Sequence, residues 1–118
     1  MPSSHNVVFV RLQVIGMHHW ANAPERQAFL RVSHRHTFTI EVTLTVPHGD
    51  RAVECFDLVD RVTKRLEQFR DRDGVHQFGH MSCENIAEFI AQDLEGVGHR
   101  GVSVLEDGMQ GGGVWQYA

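Results

Sequence analysis

The run Thr37-Phe38-Thr39-Ile40-Glu41-Val42-Thr43-Leu44-Thr45-Val46 alternates polar and apolar residues without a break. That period belongs to a strand with one buried face, because successive side chains on a strand point to opposite sides. The apolar face of Phe38, Ile40, Val42, Leu44 and Val46 extends backwards onto His36 and His34. Two imidazoles therefore stand at one end of a core face. Neutral imidazole is a good ligand for zinc and similar divalent ions, and two histidines at i, i+2 on a strand can share one metal.

A third ligand is available upstream. Val8, Val10, Leu12 and Val14 make a second apolar strand face, which runs through Gly16 to His18. Antiparallel pairing of the two strands brings His18 to the His34/His36 pair. A bulge that shifts the register by one residue would bring His19 instead.

The rest of the chain is read as elements that complete this sheet. Residues 19–33 carry Pro24 and no sustained period, so they form a long loop, and Pro47-His48-Gly49-Asp50 is a turn. From Val53 to Phe69 the residues Phe56, Val59, Val62, Leu66 and Phe69 recur at helical steps and predict an amphipathic helix. Asp71-Arg72-Asp73-Gly74 closes it. A second helix starts at Ser82 as N-cap, with Glu84 in its first turn and Ile86, Phe89, Ile90 and Leu94 as its buried stripe before Gly96. Val102–Glu106 is a strand, Gly108 and Gly111-Gly112-Gly113 a turn, and Val114–Tyr117 a last strand.

The predicted fold is α+β: a four-stranded antiparallel sheet of order ββααββ with two helices on one face. At 118 residues and 42% hydrophobic content the chain fits a single domain over residues 1–118. Two open sheet edges favour a homo-oligomer. Acidic residues outnumber Lys plus Arg by 15 to 11 and no basic stripe occurs, so no nucleic-acid partner is expected. Cys55 and Cys83 make no disulfide framework, and Met-Pro-Ser-Ser-His lacks the pattern of a signal peptide, which leads to the expectation of a cytoplasmic protein. No apolar run is long enough for a bilayer, so no membrane association is expected. Both cysteines read as small hydrophobes rather than nucleophiles.

These residues resemble the 6-pyruvoyl-tetrahydropterin synthase and 6-carboxytetrahydropterin synthase family over residues 7–117. Gly16-Met17-His18-His19-Trp20 is similar to the family's first-strand motif, and Ser33-His34-Arg35-His36-Thr37-Phe38 to its His-Gly-His-aromatic motif, with Arg35 in place of glycine. Glu54-Cys55-Phe56-Asp57-Leu58 resembles the start of the family's first helix, and Met81-Ser82-Cys83-Glu84-Asn85-Ile86-Ala87 the start of its second. Val102-Ser103-Val104-Leu105-Glu106-Asp107 resembles its late strand.

The resemblance implies the tunnelling fold, closing into a β-barrel as a trimer or hexamer. It further implies a catalytic zinc on His18, His34 and His36, and a pterin ring gripped by Glu106. A carboxylate suits that grip, because it can accept two hydrogen bonds from a 2-amino-4-oxo pyrimidine edge. The family's catalytic cysteine falls on Leu30, and glutamate variants of that position are not matched either. The Asp of its Asp-His relay falls on Val75. His76 or His80, or a metal-bound water, is left as the proton acceptor. The expected activity is that of a metal-dependent lyase on a substrate like dihydroneopterin triphosphate, on a tetrahydrobiopterin, folate or 7-deazaguanine (queuosine) route. The alternative is a protein that binds a pterin or purine in the same pocket without turnover.

Overall fold

The computed structural model describes residues 4–94 and 97–118. Two long strands, β1 (Asn6–His18) and β2 (His34–Val46), pair antiparallel without a break from Asn6↔Val46 to His18↔His34. The even-numbered face of this ribbon carries the core. Val10 faces Val42, Leu12 faces Ile40 and Val14 faces Phe38. Phe38, Ile40, Val42 and Leu44 are fully buried, at roughly 1.5–3 kcal/mol of transfer free energy for each large side chain.

β4 (Arg100–Glu106) adds to β2 and β5 (Gln110–Gln116) adds to β4, both antiparallel. A further strand, β3 (His76–Gly79), lies on the other side of β1, where it pairs parallel with residues 16–18. The sheet is thus five-stranded and mixed, in the order β3-β1-β2-β4-β5. This corrects the expected four-stranded antiparallel sheet. β3 is four residues long and returns through a turn at Gly74, whose φ of 81° suits glycine.

Helix α1 (Cys55–Leu66) packs on β1, and α2 (Cys83–Gln92) on β4 and β5. The α1 N-terminus is capped by Glu54, whose carboxylate accepts from the N–H groups of Phe56 at 2.6 Å and Asp57 at 3.2 Å. Its buried stripe is Leu58, Val62 and Leu66, whereas Phe56, expected on that stripe, is 83% exposed. A 3-10 turn, Glu67–Phe69, continues the helix. Ser82 caps α2 as expected, its Oγ accepting from Asn85 N–H at 3.1 Å. Gly96, expected just beyond this helix, lies outside the described residues.

The glycine run is a second correction. Gly111, Gly112 and Gly113 lie inside β5, and the hairpin turn falls on Asp107 and Gly108, at φ of 53° and 70°. A Cβ on Gly111 would collide with the Val104 carbonyl, and one on Gly112 with the Glu84 carboxylate. The run therefore allows β4 and the start of α2 to approach β5 closely. The loop between β1 and β2 contains a 3-10 segment, Glu25–Arg31. It is tied back by Trp20 N–H to Leu30 O at 2.7 Å and by Arg31 Nε to Ala23 O at 2.8 Å. No described helix is long and apolar enough to cross a membrane.

Candidate metal centre and cleft

The core face ends in a cluster of electron-pair donors because of the strand register. His18 stands directly opposite His34, Gly16 opposite His36, and Phe38 opposite Glu106 on β4. Three neighbouring strands thereby deliver His18, His34, His36 and Glu106 to one point. One donor atom from each lies within 4.8 Å of every other. The absence of a side chain at Gly16 is what lets the aromatic floor rise beneath them. A Cβ there would sit 2.8 Å from both the Phe38 and Phe78 rings.

Each imidazole is oriented by a partner at Nδ1. His18 Nδ1 donates to Met81 O at 3.0 Å, His34 Nδ1 to Val32 O at 2.9 Å, and His36 Nδ1 to Asp107 Oδ2 at 2.7 Å. Carbonyl and carboxylate oxygens only accept, so Nδ1 carries a proton in all three rings, and in the neutral ring Nε2 is the atom left with an electron pair. Metal-binding histidines are characteristically held this way, with the distal ring nitrogen hydrogen-bonded to a carbonyl or carboxylate.

The Nε2 atoms of His18 and His36 meet Glu106 Oε2 at 2.7 and 3.4 Å. Two ring nitrogens thus face one carboxylate oxygen. Such a set of nitrogen and oxygen donors fits a divalent cation. Asp107, just after Glu106, is held by His36 and by Thr37 N–H, which donates to Oδ1 at 2.9 Å. Its carboxyl is lowered from the usual range by the His36 hydrogen bond and then by the Thr37 one.

A cleft of about 560 Å³ opens beside the cluster. His18, His34 and Glu106 form its inner end, and Trp20, Leu30, His80, Met81 and the first turn of α2 line its walls. The residues predicted as a metal set, His18, His34 and His36, are therefore brought together. His19 lines the cleft but stands outside the donor group.

The two predicted proton acceptors separate. His80 is exposed and lines the cleft. His76 is buried on β3, stacked on Phe78, and is not among the residues lining the cleft. Burial pushes its pKa below the ordinary histidine value, and its Nδ1 has no partner among the described residues. Cys83 also lines the cleft, but burial and then the nearby Glu106 push its thiol up to about 12, so it is protonated at neutral pH. Glu106, predicted to grip a ring, lines the cleft and has one oxygen against two imidazoles.

Sequence reasoning missed Asp107 and the Met81 carbonyl as supports of the cluster. Asp107 follows Glu106 directly at a strand end, which is the signal that marks it. The Met81 carbonyl carries no sequence signal of its own.

The chain has the fold of the 6-pyruvoyl tetrahydropterin synthases. It is similar to the solved structure of the Plasmodium falciparum enzyme, with 16% identity and a TM-score of 0.66 over 98% of this chain and 100% of that one. The Plasmodium vivax enzyme is similar at 16% identity and a TM-score of 0.61, over 96% and 99% of the two chains. A catalytic-residue mutant of the P. vivax enzyme is similar at 14% identity and a TM-score of 0.63, again over 96% and 99% of the two chains. No protein-family model and no curated protein matches the sequence.

Proposed function

We propose that the chain is a divergent member of the 6-pyruvoyl/6-carboxytetrahydropterin synthase family and a zinc-dependent enzyme acting on a dihydropterin carrying an oxygenated side chain. The observation that carries this reading is the convergence of His18, His34, His36 and Glu106, with all three Nδ1 atoms engaged, at the inner end of a cleft in this fold. Zinc held by the three Nε2 atoms would polarise a hydroxyl or carbonyl oxygen of the substrate side chain. The chain's own residues would do the rest. Trp20, Leu30 and Met81 offer apolar surface to a flat ring, and His80 stands at the cleft as acceptor of the proton removed from the side chain.

Oligomerisation, as a trimer or hexamer, belongs to the same reading. β5 is one sheet edge, and β3 covers only residues 16–18 of β1, so residues 6–15 expose a second. The face turned away from the core carries Phe9 at 58% and Trp115 at 46% exposure. Such edges and patches are characteristically closed by another copy.

A second reading is a pterin-binding protein without turnover. It is favoured by Leu30, which lines the cleft at the position where the family carries its base. Incubating zinc-loaded protein with dihydroneopterin triphosphate separates the two. Formation of a tetrahydropterin product, diminished in His80→Ala, supports the enzyme. Binding of neopterin with no product supports the second reading and overturns the first.

A further inference from the structure

We infer that Gln110 is a specificity-determining residue of the cleft, whose carboxamide reads the N1/N8–H edge of a 7,8-dihydropterin and so selects the reduced ring over the oxidised one. The inference rests on the pterin reading above and deepens it by naming the oxidation state of the ring that the cleft takes.

The placement follows from the hairpin. Gln110 opens β5 and stands directly opposite Glu106, the last residue of β4, so both side chains leave the same face of the sheet and both line the cleft. Directly opposed residues on antiparallel strands have Cβ atoms about 4.5–5.5 Å apart. Two side chains of this length can therefore diverge from neighbouring positions to two edges of one flat ring. The turn that fixes the pair is tied down, because Met109 N–H donates to Glu106 O at 2.9 Å and Asp107 N–H to Thr37 O at 2.8 Å.

The glycine run leaves this wall to Gln110. Residues 111–113 are all glycine, so Gln110 carries the only side chain of residues 110–113. Gly112 has the same parity as Gln110 and lies against the Glu84 side chain from the first turn of α2, a contact that its missing Cβ admits. Gln110 is also the one carboxamide among the described residues that line the cleft.

A carboxamide offers a donor and an acceptor side by side, whereas the Glu106 carboxylate only accepts and suits the 2-amino and N3–H groups of the ring, as the resemblance implies. Two other edges of the ring system flank those groups. On one, O4 and N5 are both acceptors. On the other, N1 accepts and N8–H donates when the ring is 7,8-dihydro, a pattern that a carboxamide complements with both of its groups. In the oxidised ring N8 has no hydrogen, so the carboxamide oxygen faces a second acceptor and one hydrogen bond is forfeited. A site built to bond an N–H discriminates against the analogue that lacks it.

The test compares wild type, Gln110→Leu and Gln110→Ala, each checked for a native circular dichroism spectrum. Binding of 7,8-dihydroneopterin and of neopterin is measured by equilibrium dialysis without oxygen, which would oxidise the reduced ring. Wild type is expected to hold dihydroneopterin about tenfold more tightly than neopterin, the effect of one hydrogen bond made in the first complex and left unmade in the second. Both variants are expected to lose that preference, through weaker binding of dihydroneopterin. Equal affinity of wild type for the two pterins, or a wild-type preference retained in the folded variants, would overturn the inference and leave the cleft a pterin site. Binding of neither pterin by wild type would instead overturn the pterin reading on which the inference rests.

Discussion

His36 Nδ1 donates to Asp107 Oδ2 across 2.7 Å, and the residue after His36 closes a second bond to the same carboxylate, Thr37 N–H to Asp107 Oδ1. One aspartate thus orients a ring on β2 and locks the β4–β5 turn to it. Asp107 occupies the left-handed region at φ 53°, which asparagine also tolerates, so Asp107→Asn keeps the turn while removing the charge. We predict that Asp107→Asn lowers metal affinity by about tenfold and Asp107→Ala by more, within the roughly 10–100-fold span of such partners. Calorimetric titration with zinc checks this.

Gly16 holds the space between the donor cluster and its aromatic floor. A side chain there meets the rings of Phe38, which is fully buried, and Phe78. Gly16→Val is predicted to destabilise by about 1–3 kcal/mol as an overpacked core and to weaken metal binding through displaced rings. Urea unfolding and zinc titration of one variant read both effects.

The glycine run in β5 makes a separate stability prediction. Gly111→Ala places a methyl against the Val104 carbonyl, a backbone atom that can move only with its strand. We expect a loss of about 1–3 kcal/mol, as for other steric insertions into packed structure. Gly112→Ala meets the flexible Glu84 side chain first and is expected to cost less. The difference in urea midpoints between the two variants is the measurement.

His76 makes folding stability pH-dependent. Burial lowers its folded pKa below the 6.5 of the free side chain, so below pH 6.5 the unfolded chain takes up a proton that the folded chain resists. Stability is therefore undiminished above pH 6.5, falls as pH drops from there toward the folded pKa, and levels off for this group below it. The slope is at most about 1.4 kcal/mol per pH unit. His76→Phe is expected to flatten the decline in Tm between about pH 7 and pH 5.

The two cysteines should react at very different rates. Cys55 is exposed, whereas Cys83 is buried with its thiol pushed up to about 12. Titration with a disulfide reagent at neutral pH should show one fast and one slow thiol.

Much of the donor cluster was legible because it depends on period-2 alternation. Once β1 and β2 are assigned, side-chain parity and antiparallel register bring His18, His34 and His36 to one end of one face. Elements fixed by tertiary approach were less legible. β3 is too short to show a period and exists because β1 offers residues 16–18 as a partner. The glycine run resembles turn chemistry, yet its role is the close approach of Val104 and Glu84, which no local pattern announces. His76 and His80 look equivalent in sequence, and only the parallel pairing of β3 buries the first while leaving the second at the cleft. The place of Glu106 beside the imidazoles depends on the β2–β4 register, which sets it opposite Phe38.

Whether three histidines on two paired strands hold a metal is open to direct measurement. Elemental analysis of purified, zinc-equilibrated wild type and His34→Ala tests it most directly. About one zinc per chain is expected in wild type, and its loss in a folded His34→Ala. Absence of zinc from wild type, or equal zinc in both proteins, would contradict it.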